Sequence, residues 1–233
     1  MKLRKLIPSY FHIQNLKKYY QFLFLKEKTR THFDYEKNFY TRAAFINKSI
    51  AKFKNCKYLE IGVASNTVFN CIPLPMSKKF GVDPVKGGNF RMTSDEFFQK
   101  FPNEKFDVIF IDGLHEYEQC QRDCINALSR LNPSGIILFH DFLPRSVLEQ
   151  EVPQNYHKWS GDVWKVAVEL YNSKNVEFRI CNIDHGVGIL KPLNNYEYVK
   201  VPDLKSANYD YFLNYHKKFN IISCEEALNF IDS

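Results

Sequence analysis

The chain has 233 residues, 45% of them hydrophobic and 25% charged, with a formal charge of +6. This composition excludes wholesale disorder and leaves room for one well-buried domain with an appendage rather than two full domains. The positive excess is too mild to mark a dedicated nucleic-acid binder, which gathers its charge into a stripe, so nucleic acid is not the expected partner. The densest basic stretch runs from Lys2 to Arg30, interleaved with Tyr19, Tyr20, Phe22 and Phe24.

The opening Met-Lys-Leu-Arg-Lys looks like the start of a signal peptide. Pro8, His12, Gln14, Asn15 and the Lys17–Lys18 pair then break any continuous apolar region. No run approaches the roughly 18 apolar residues of a spanning helix, so no transmembrane segment is expected. The six cysteines (56, 71, 120, 124, 181 and 224) form no CxxC pair and no zinc spacing. Cys120 and Cys124 lie one helical turn apart and read as small buried hydrophobes. Free thiols in a chain of this size fit a reducing compartment, so a cytoplasmic location is expected.

Residues 1–55 contain no glycine and read as a helical extension, with Ala43, Ala44, Ile46, Ile50 and Phe53 at helical spacing. Pairing of two copies through this extension, a homodimer, is compatible with the pattern. From 56 to 192 short apolar runs alternate with amphipathic segments, as in βαβ units on a parallel sheet. The spacing predicts strands at Tyr58–Val63, Lys79–Val82, Phe106–Ile111 and Gly135–Phe139. A helix is predicted over Leu114–Leu131, closed by Asn132-Pro-Ser-Gly135. Val176–Cys181 and Gly186–Leu190 are separated by only four residues, too few for a crossover, so they should pair antiparallel. Residues 193–233 read as a tail with a helix near Cys224–Ile231.

In an open parallel sheet, ligands bind beyond the carboxyl ends of the strands. The predicted strand ends carry Glu60-Ile-Gly62-Val-Ala-Ser65, Asp83-Pro84, Asp112-Gly113 and His140-Asp141. Gly62 allows a close backbone approach, and Asp83 offers two acceptors suited to a pair of ribose hydroxyls. A pyrophosphate loop would need G-x-G-x-x-G, whereas here no glycine follows Gly62 until Gly81. This favours a nucleoside without phosphate over a dinucleotide.

Tyr-Leu-Glu-Ile-Gly-Val (58–63), Gly-Val-Asp-Pro (81–84), Met-Thr-Ser-Asp-Glu-Phe-Phe (92–98), Asp-Val-Ile-Phe-Ile-Asp-Gly-Leu-His-Glu-Tyr (107–117) and Phe-His-Asp (139–141) together resemble class I S-adenosylmethionine-dependent methyltransferases. The likeness is to the branch with small-molecule and sugar O-methyltransferases, and it covers roughly residues 56–190. It implies an α/β Rossmann-like fold with a seven-stranded, mostly parallel sheet ending in an antiparallel hairpin. The implied cofactor is S-adenosylmethionine and the implied acceptor a small hydroxylated molecule, a sugar or glycan precursor. By position, Glu60, Gly62 and Ser65 would border the methionine part of the cofactor. Asp83 would hold the ribose, and Ser94 and Asp95 would lie by the adenine.

The resemblance also places Asp112, His115 and Asp141 at the transferred methyl group, with His115 as general base. Thr93 and Glu96 read equally as a capping box. Some relatives use magnesium held by carboxylates matching Asp112 and Asp141, but Phe142 stands where they place another oxygen ligand. Magnesium and metal-free transfer therefore both stay open. The segment Gly161-Asp-Val-Trp164-Lys165 would cover the acceptor, with Trp164 either a stacking platform or a buried structural residue, and Asp184-His185-Gly186 would stand near the mouth. Ser65-Asn66 replaces a second glycine, which leaves open a chain that kept the scaffold and lost turnover, an interaction module. A nucleic-acid methyltransferase is the remaining alternative.

Overall fold

A computed structural model describes residues 30–35 and 39–233. The basic aromatic stretch before Arg30, and the helical character expected there, lie outside the described residues. The first described helix, α1 (Arg42–Ala51), carries the periodicity read from the sequence and buries Phe45, Ile46 and Ile50. No helix among the described residues is long and apolar enough to cross a membrane.

Seven strands form one sheet: β1 (Tyr58–Ile61), β2 (Lys79–Val82), β3 (Phe106–Ile111), β4 (Leu131–Phe139), β5 (Lys174–Cys181), β6 (Val187–Glu197) and β7 (Ile221–Ile222). Their spatial order is β2-β1-β3-β4-β6-β5-β7. The first four pair in parallel, with Tyr58 opposite Lys79 and Val108. β6 inserts antiparallel between β4 and β5. The short connection at 182–186 thus makes the expected hairpin, stitched to the chain after β4 by Phe142 and Leu143 amides donating to Gly186 and His185 carbonyls.

The seven strands are not quite those anticipated. Between β2 and the next helix there is only an isolated bridge from Val82 to Phe90, and β7, which pairs in parallel with β5, was not read from the sequence. Two residues rarely announce themselves by alternation. β4 also begins four residues early, with Leu131 opposite Phe106 and a register shift before Val108, so the Asn132–Gly135 turn signal lies inside the strand.

Helices α3 (Ser94–Lys100), α4 (Tyr117–Arg130) and α6 (Trp164–Asn172) pack as one group, and α1 packs with α8 (Cys224–Asp232) as another; α1 and α4 both rest on β3. Every side chain of β3 except the half-buried Asp107 is buried, as a strand covered on both faces requires. The very short α2 (Thr67–Asn70) stops ahead of Pro73, as its proline predicts. Thr93 closes its capping box with Glu96. The final segment is no peripheral tail. β6 runs to Glu197, past the boundary expected at 192, while Tyr209, Phe212, Ala227 and Ile231 are fully inside the single core. Between α4 and α6 lies the single turn α5 (Val147–Gln150), and α7 (Tyr209–Tyr215) precedes β7.

Candidate functional site

The carboxyl ends of β1, β2, β3 and β4 open into one cleft with two lobes. The larger lobe, about 700 Å³, is lined by Asp83, Pro84, Val85, Ser94, Gln119 and Asp123 among others. The smaller, about 470 Å³, is lined by Arg42, Glu60, His140, Asp141, Asp184 and His185 among others. Gly62, Ala64, Asp112, His115 and Trp159 line both, so the two lobes meet at the carboxyl ends of β1 and β3.

The turn after β1 is shaped by close backbone approach. Gly62 has φ +85°, and a Cβ there would lie 2.0 Å from the Asp112 carbonyl oxygen and 2.5 Å from the Gly113 Cα. The sequence suggested that this glycine makes way for a ligand; its nearest obligation is to the neighbouring strand end. Asn66 supplies a further left-handed residue, φ +62°, a conformation Asn tolerates better than most residues. Its side-chain oxygen accepts from the Gly88 amide at 2.8 Å. The Ser65-Asn66 departure is therefore met by Asn66 doing the work of a second glycine, while Ser65 stays exposed on the rim of the smaller lobe.

Asp83 is held by three amides: Oδ2 accepts from Ala64 at 2.9 Å, and Oδ1 accepts from Val85 and Lys86 at 2.8 Å each. Burial would raise its pKa, but the amides of Lys86, Ala64 and Val85 and the Arg91 guanidinium hold it below the usual range. The carboxylate is thus fixed in place at the mouth of β2, with lone pairs left for a ligand.

Farther along, Ser94 lines the larger lobe but Asp95 does not. Asp95 points outward, half-exposed, to Arg122 at 3.5 Å. Beside Ser94 the lobe is lined instead by Asp123, buried on α4 and bonded by Gln119 at 3.1 Å. Burial pushes its pKa up to about 6, against the pull of Ser94 and Gln119. A signal for it existed in the sequence: an acid between Cys120 and Cys124 on the apolar face of a helix.

The junction is a compact ionic cluster. His115 Nδ1 lies 3.0 Å from Asp141 Oδ2, and its Nε2 lies 3.5 Å from Asp112 Oδ1. Burial would lower the His115 pKa, yet the two carboxylates raise it above the ordinary value. His140 Nδ1 faces Asp112 and Asp141 at 3.2 and 3.1 Å. Arg42 NH1 lies 2.5 Å from His140 Nε2 and donates to Asp184 Oδ2 at 2.9 Å, and the Arg42 Nε sits 3.6 Å from Asp112 Oδ2. Burial opposes ionisation of Asp112, but His140, His115 and Arg42 hold its pKa far below the usual carboxylate range. Asp184 is likewise held at about 2. Glu60 differs: nearly fully buried and bonded by the Tyr58 hydroxyl at 2.7 Å, it is pushed up by burial to about 8. Asp141 itself has φ +66°, a strained conformation of the kind found at functional sites.

Of the two readings of Trp164, the structure takes the buried one. Trp164 is fully buried, packed on Tyr211 and Phe212, and lines neither lobe. Trp159 is the tryptophan of the site: it stacks on His115 at 5.1 Å and 19°, with its Nε1 anchored to the Glu151 carbonyl at 2.7 Å. Gly161, φ +63°, brings this segment against the His115 backbone, where a Cβ would lie 1.6 Å from the carbonyl oxygen. Arg42, His157, Lys158 and Trp159 were not singled out from the sequence at all.

Asp112, His115 and Asp141 bring ligand atoms within 4.8 Å of one another, the one such group among the described residues. Magnesium takes near-octahedral oxygen ligation at about 2.0–2.1 Å and keeps several waters. Here Asp112 and Asp141 are the oxygen donors, and both face imidazole or guanidinium nitrogens at 3.0–3.6 Å. Phe142 is buried against Phe139, and the two Asp184 oxygens are engaged by Arg42 and His140. The donor set does not suit magnesium.

Residues 83–142 match the family profile described as a methyltransferase domain. The seven-stranded sheet that carries this segment is α/β and Rossmann-like, four parallel strands followed by an antiparallel hairpin. A search of curated proteins finds no match. Among solved structures, an O-methyltransferase from Bacillus cereus in complex with SAH is 15% identical, over 81% of this chain and 94% of that one, with a TM-score of 0.43. The O-methyltransferase TomG from Streptomyces achromogenes, in complex with SAM, is 11% identical, over 81% and 100%, at 0.42. The MycE methyltransferase of the mycinamycin pathway, in complex with Mg, SAH and mycinamycin VI, is 16% identical over 64% of this chain, at 0.39. This chain spans about half of MycE, 48% of its length. The methyltransferase profile runs from the end of β2 to just past β4, so it includes Asp83, Asp112, His115 and Asp141.

Proposed function

We propose that this methyltransferase-fold chain is an S-adenosylmethionine-dependent O-methyltransferase of a small hydroxylated acceptor, a sugar or glycan precursor. The observation that carries the reading is the division of the cleft. A larger lobe with a fixed carboxylate at Asp83 and a polar far end at Ser94, Gln119 and Asp123 suits a nucleoside. A smaller lobe rich in charge and imidazole suits a hydroxylated acceptor. They join at His115 and Asp112.

S-adenosylmethionine, when bound, supplies a methyl group on a sulfonium. In-line displacement then needs alignment and removal of the acceptor's proton. Trp159 and the Gly161 contact hold the His115 ring in one orientation, and Asp141 anchors its Nδ1. The looser nitrogen, Nε2, is the one available to an acceptor hydroxyl. Because two carboxylates favour the imidazolium, a proton received there is stabilised, and His115 is free to accept one only above its raised pKa. Glu60, largely neutral below about 8, adds no negative charge beside the sulfonium at neutral pH. The acceptor lobe, at about 470 Å³, fits a ring or two better than a nucleic-acid strand. The left-handed Asn66, φ +62°, supports a catalytic reading over an interaction module without turnover.

Calorimetric titration with S-adenosylhomocysteine tests the reading. The wild type should bind and Asp83→Ala should bind at least about tenfold more weakly, a loss of about 1.4 kcal/mol. No binding by the wild type sinks the proposal. Methyl transfer to a panel of sugars, with His115→Ala as the inactive control, then identifies the acceptor.

A further inference from the structure

In the smaller lobe, which Lys158 also lines, Arg42 is the permanent cation that pairs with the carboxylates of Asp112 and Asp184, beside Asp141. Arg42 comes from α1, outside the segment that resembles a methyltransferase, and reaches over the carboxyl edge of the sheet. Its NH1 is committed to Asp184 and His140. Its Nε is buried, lies 3.6 Å from Asp112 and makes no hydrogen bond. A guanidinium offers five donors in a fixed plane and keeps its charge at any physiological pH. Burial works against that charge, but Asp112 and Asp184 restore it.

We propose that Arg42 takes the electrostatic place of a divalent cation at this junction, so that the acceptor oxygen is polarised by a guanidinium and the chain transfers its methyl group without a metal. The inference rests on the smaller lobe being the acceptor side. The acceptor hydroxyl's proton passes to His115, the oxygen–methyl bond forms as the methyl–sulfur bond breaks, and the sulfonium leaves as a neutral thioether. Arg42, which cannot give or take a proton, stabilises the negative charge growing on the oxygen.

The charge arithmetic makes the inference testable without knowing the acceptor. A second cation entering beside Arg42 is repelled at close range, and removing the guanidinium leaves the carboxylates under-compensated. Manganese serves as the probe, with free Mn²⁺ followed by paramagnetic resonance in wild type, Arg42→Lys and Arg42→Gln. The wild type and Arg42→Lys should leave Mn²⁺ free, whereas Arg42→Gln should bind it at least about tenfold more tightly. Adding Asp112→Asn to Arg42→Gln should abolish that gain and so place the ion at the junction.

Mn²⁺ bound by the wild type as tightly as by Arg42→Gln overturns the proposal, and so does Arg42→Gln without any gain. Thermal melting checks that each variant folds. Should Arg42→Gln not fold, the wild type still decides: Mn²⁺ binding that Asp112→Asn removes overturns the proposal, and none supports it. S-adenosylhomocysteine binding is measured in parallel. Its loss would defeat the proposed function while leaving the charge role of Arg42 to stand or fall on the Mn²⁺ result.

Discussion

Replacing Gly62 by alanine strikes the point where the two lobes meet. Two costs add. The residue sits at φ +85°, where an L side chain costs about 1–3 kcal/mol. The new Cβ would fall 2.0 Å from the Asp112 carbonyl oxygen and 2.4 Å from its carbon. Those are backbone atoms of a central strand end and cannot swing aside, so overpacking adds about 1–3 kcal/mol. The sum, about 2–6 kcal/mol, is a large share of the stability of a domain this size and corresponds to a fall in Tm of roughly 5–20 °C. Gly113→Ala is the internal control: its nearest neighbour is a side-chain methyl, Ile61 Cγ2 at 3.2 Å, and its cost should stay within about 1 kcal/mol. Thermal and urea denaturation of the two variants, with S-adenosylhomocysteine titration, provide the assay. A Gly62→Ala protein that melts within about 2 °C of wild type and binds with unchanged affinity would refute the close-approach argument.

Glu60 holds its proton up to about pH 8 in the fold, against 4.5 as its ordinary value. Between those values the native state binds the extra proton, so this group's contribution to stability falls as pH rises, by up to about 1.4 kcal/mol per unit. Glu60→Gln should flatten that slope in denaturation curves from pH 5 to 8; an unchanged slope rules out Glu60 as its source. The two tryptophans separate cleanly by fluorescence. S-adenosylhomocysteine should perturb the emission of wild type but not of Trp159→Phe, while Trp164→Ala should cost about 3–5 kcal/mol in urea unfolding. For Asp123, with a pKa of about 6, ligand affinity should fall as pH drops through that value and the carboxylate is lost as an acceptor. Asp123→Asn should remove the dependence, and a persisting dependence would assign it elsewhere.

The sheet was legible because its central strands are apolar on both faces and stop at polar residues, as at Ile111–Asp112 and Phe139–His140. The same logic exposed Asp83, Asp112 and Asp141, each standing just past the end of a strand, whereas Glu60 lies inside β1. Arg42 escaped because nothing in its own neighbourhood marks it; its partners lie 98 and 142 residues away. The tryptophans divide for a physical reason too. Trp164 opens a helix whose buried face claims it, whereas Trp159 lies in irregular chain, where no periodicity says which way a ring will point. Asp95 looked apt from its place after Ser94, yet the first turn of α3 turns it outward. Asp123 carried a readable sign, an acid on a buried helical face.

The seat of Arg42 also bears on how the protein is made. Helix α1 lies against α8, joined by the Lys48–Asp232 ion pair and by Lys52 donating to the Ile231 carbonyl across 179 residues of chain. During synthesis, at roughly 5–20 residues per second, the ribosome releases β1 to β4, including the β3 part of the bed of α1, before α8 has emerged. Until α8 emerges, the helix that carries Arg42 lacks its ties to Asp232 and Ile231. Maturation of the cleft is thereby coupled to the last helix emerging, an ordering that limited proteolysis of stalled chains would reveal.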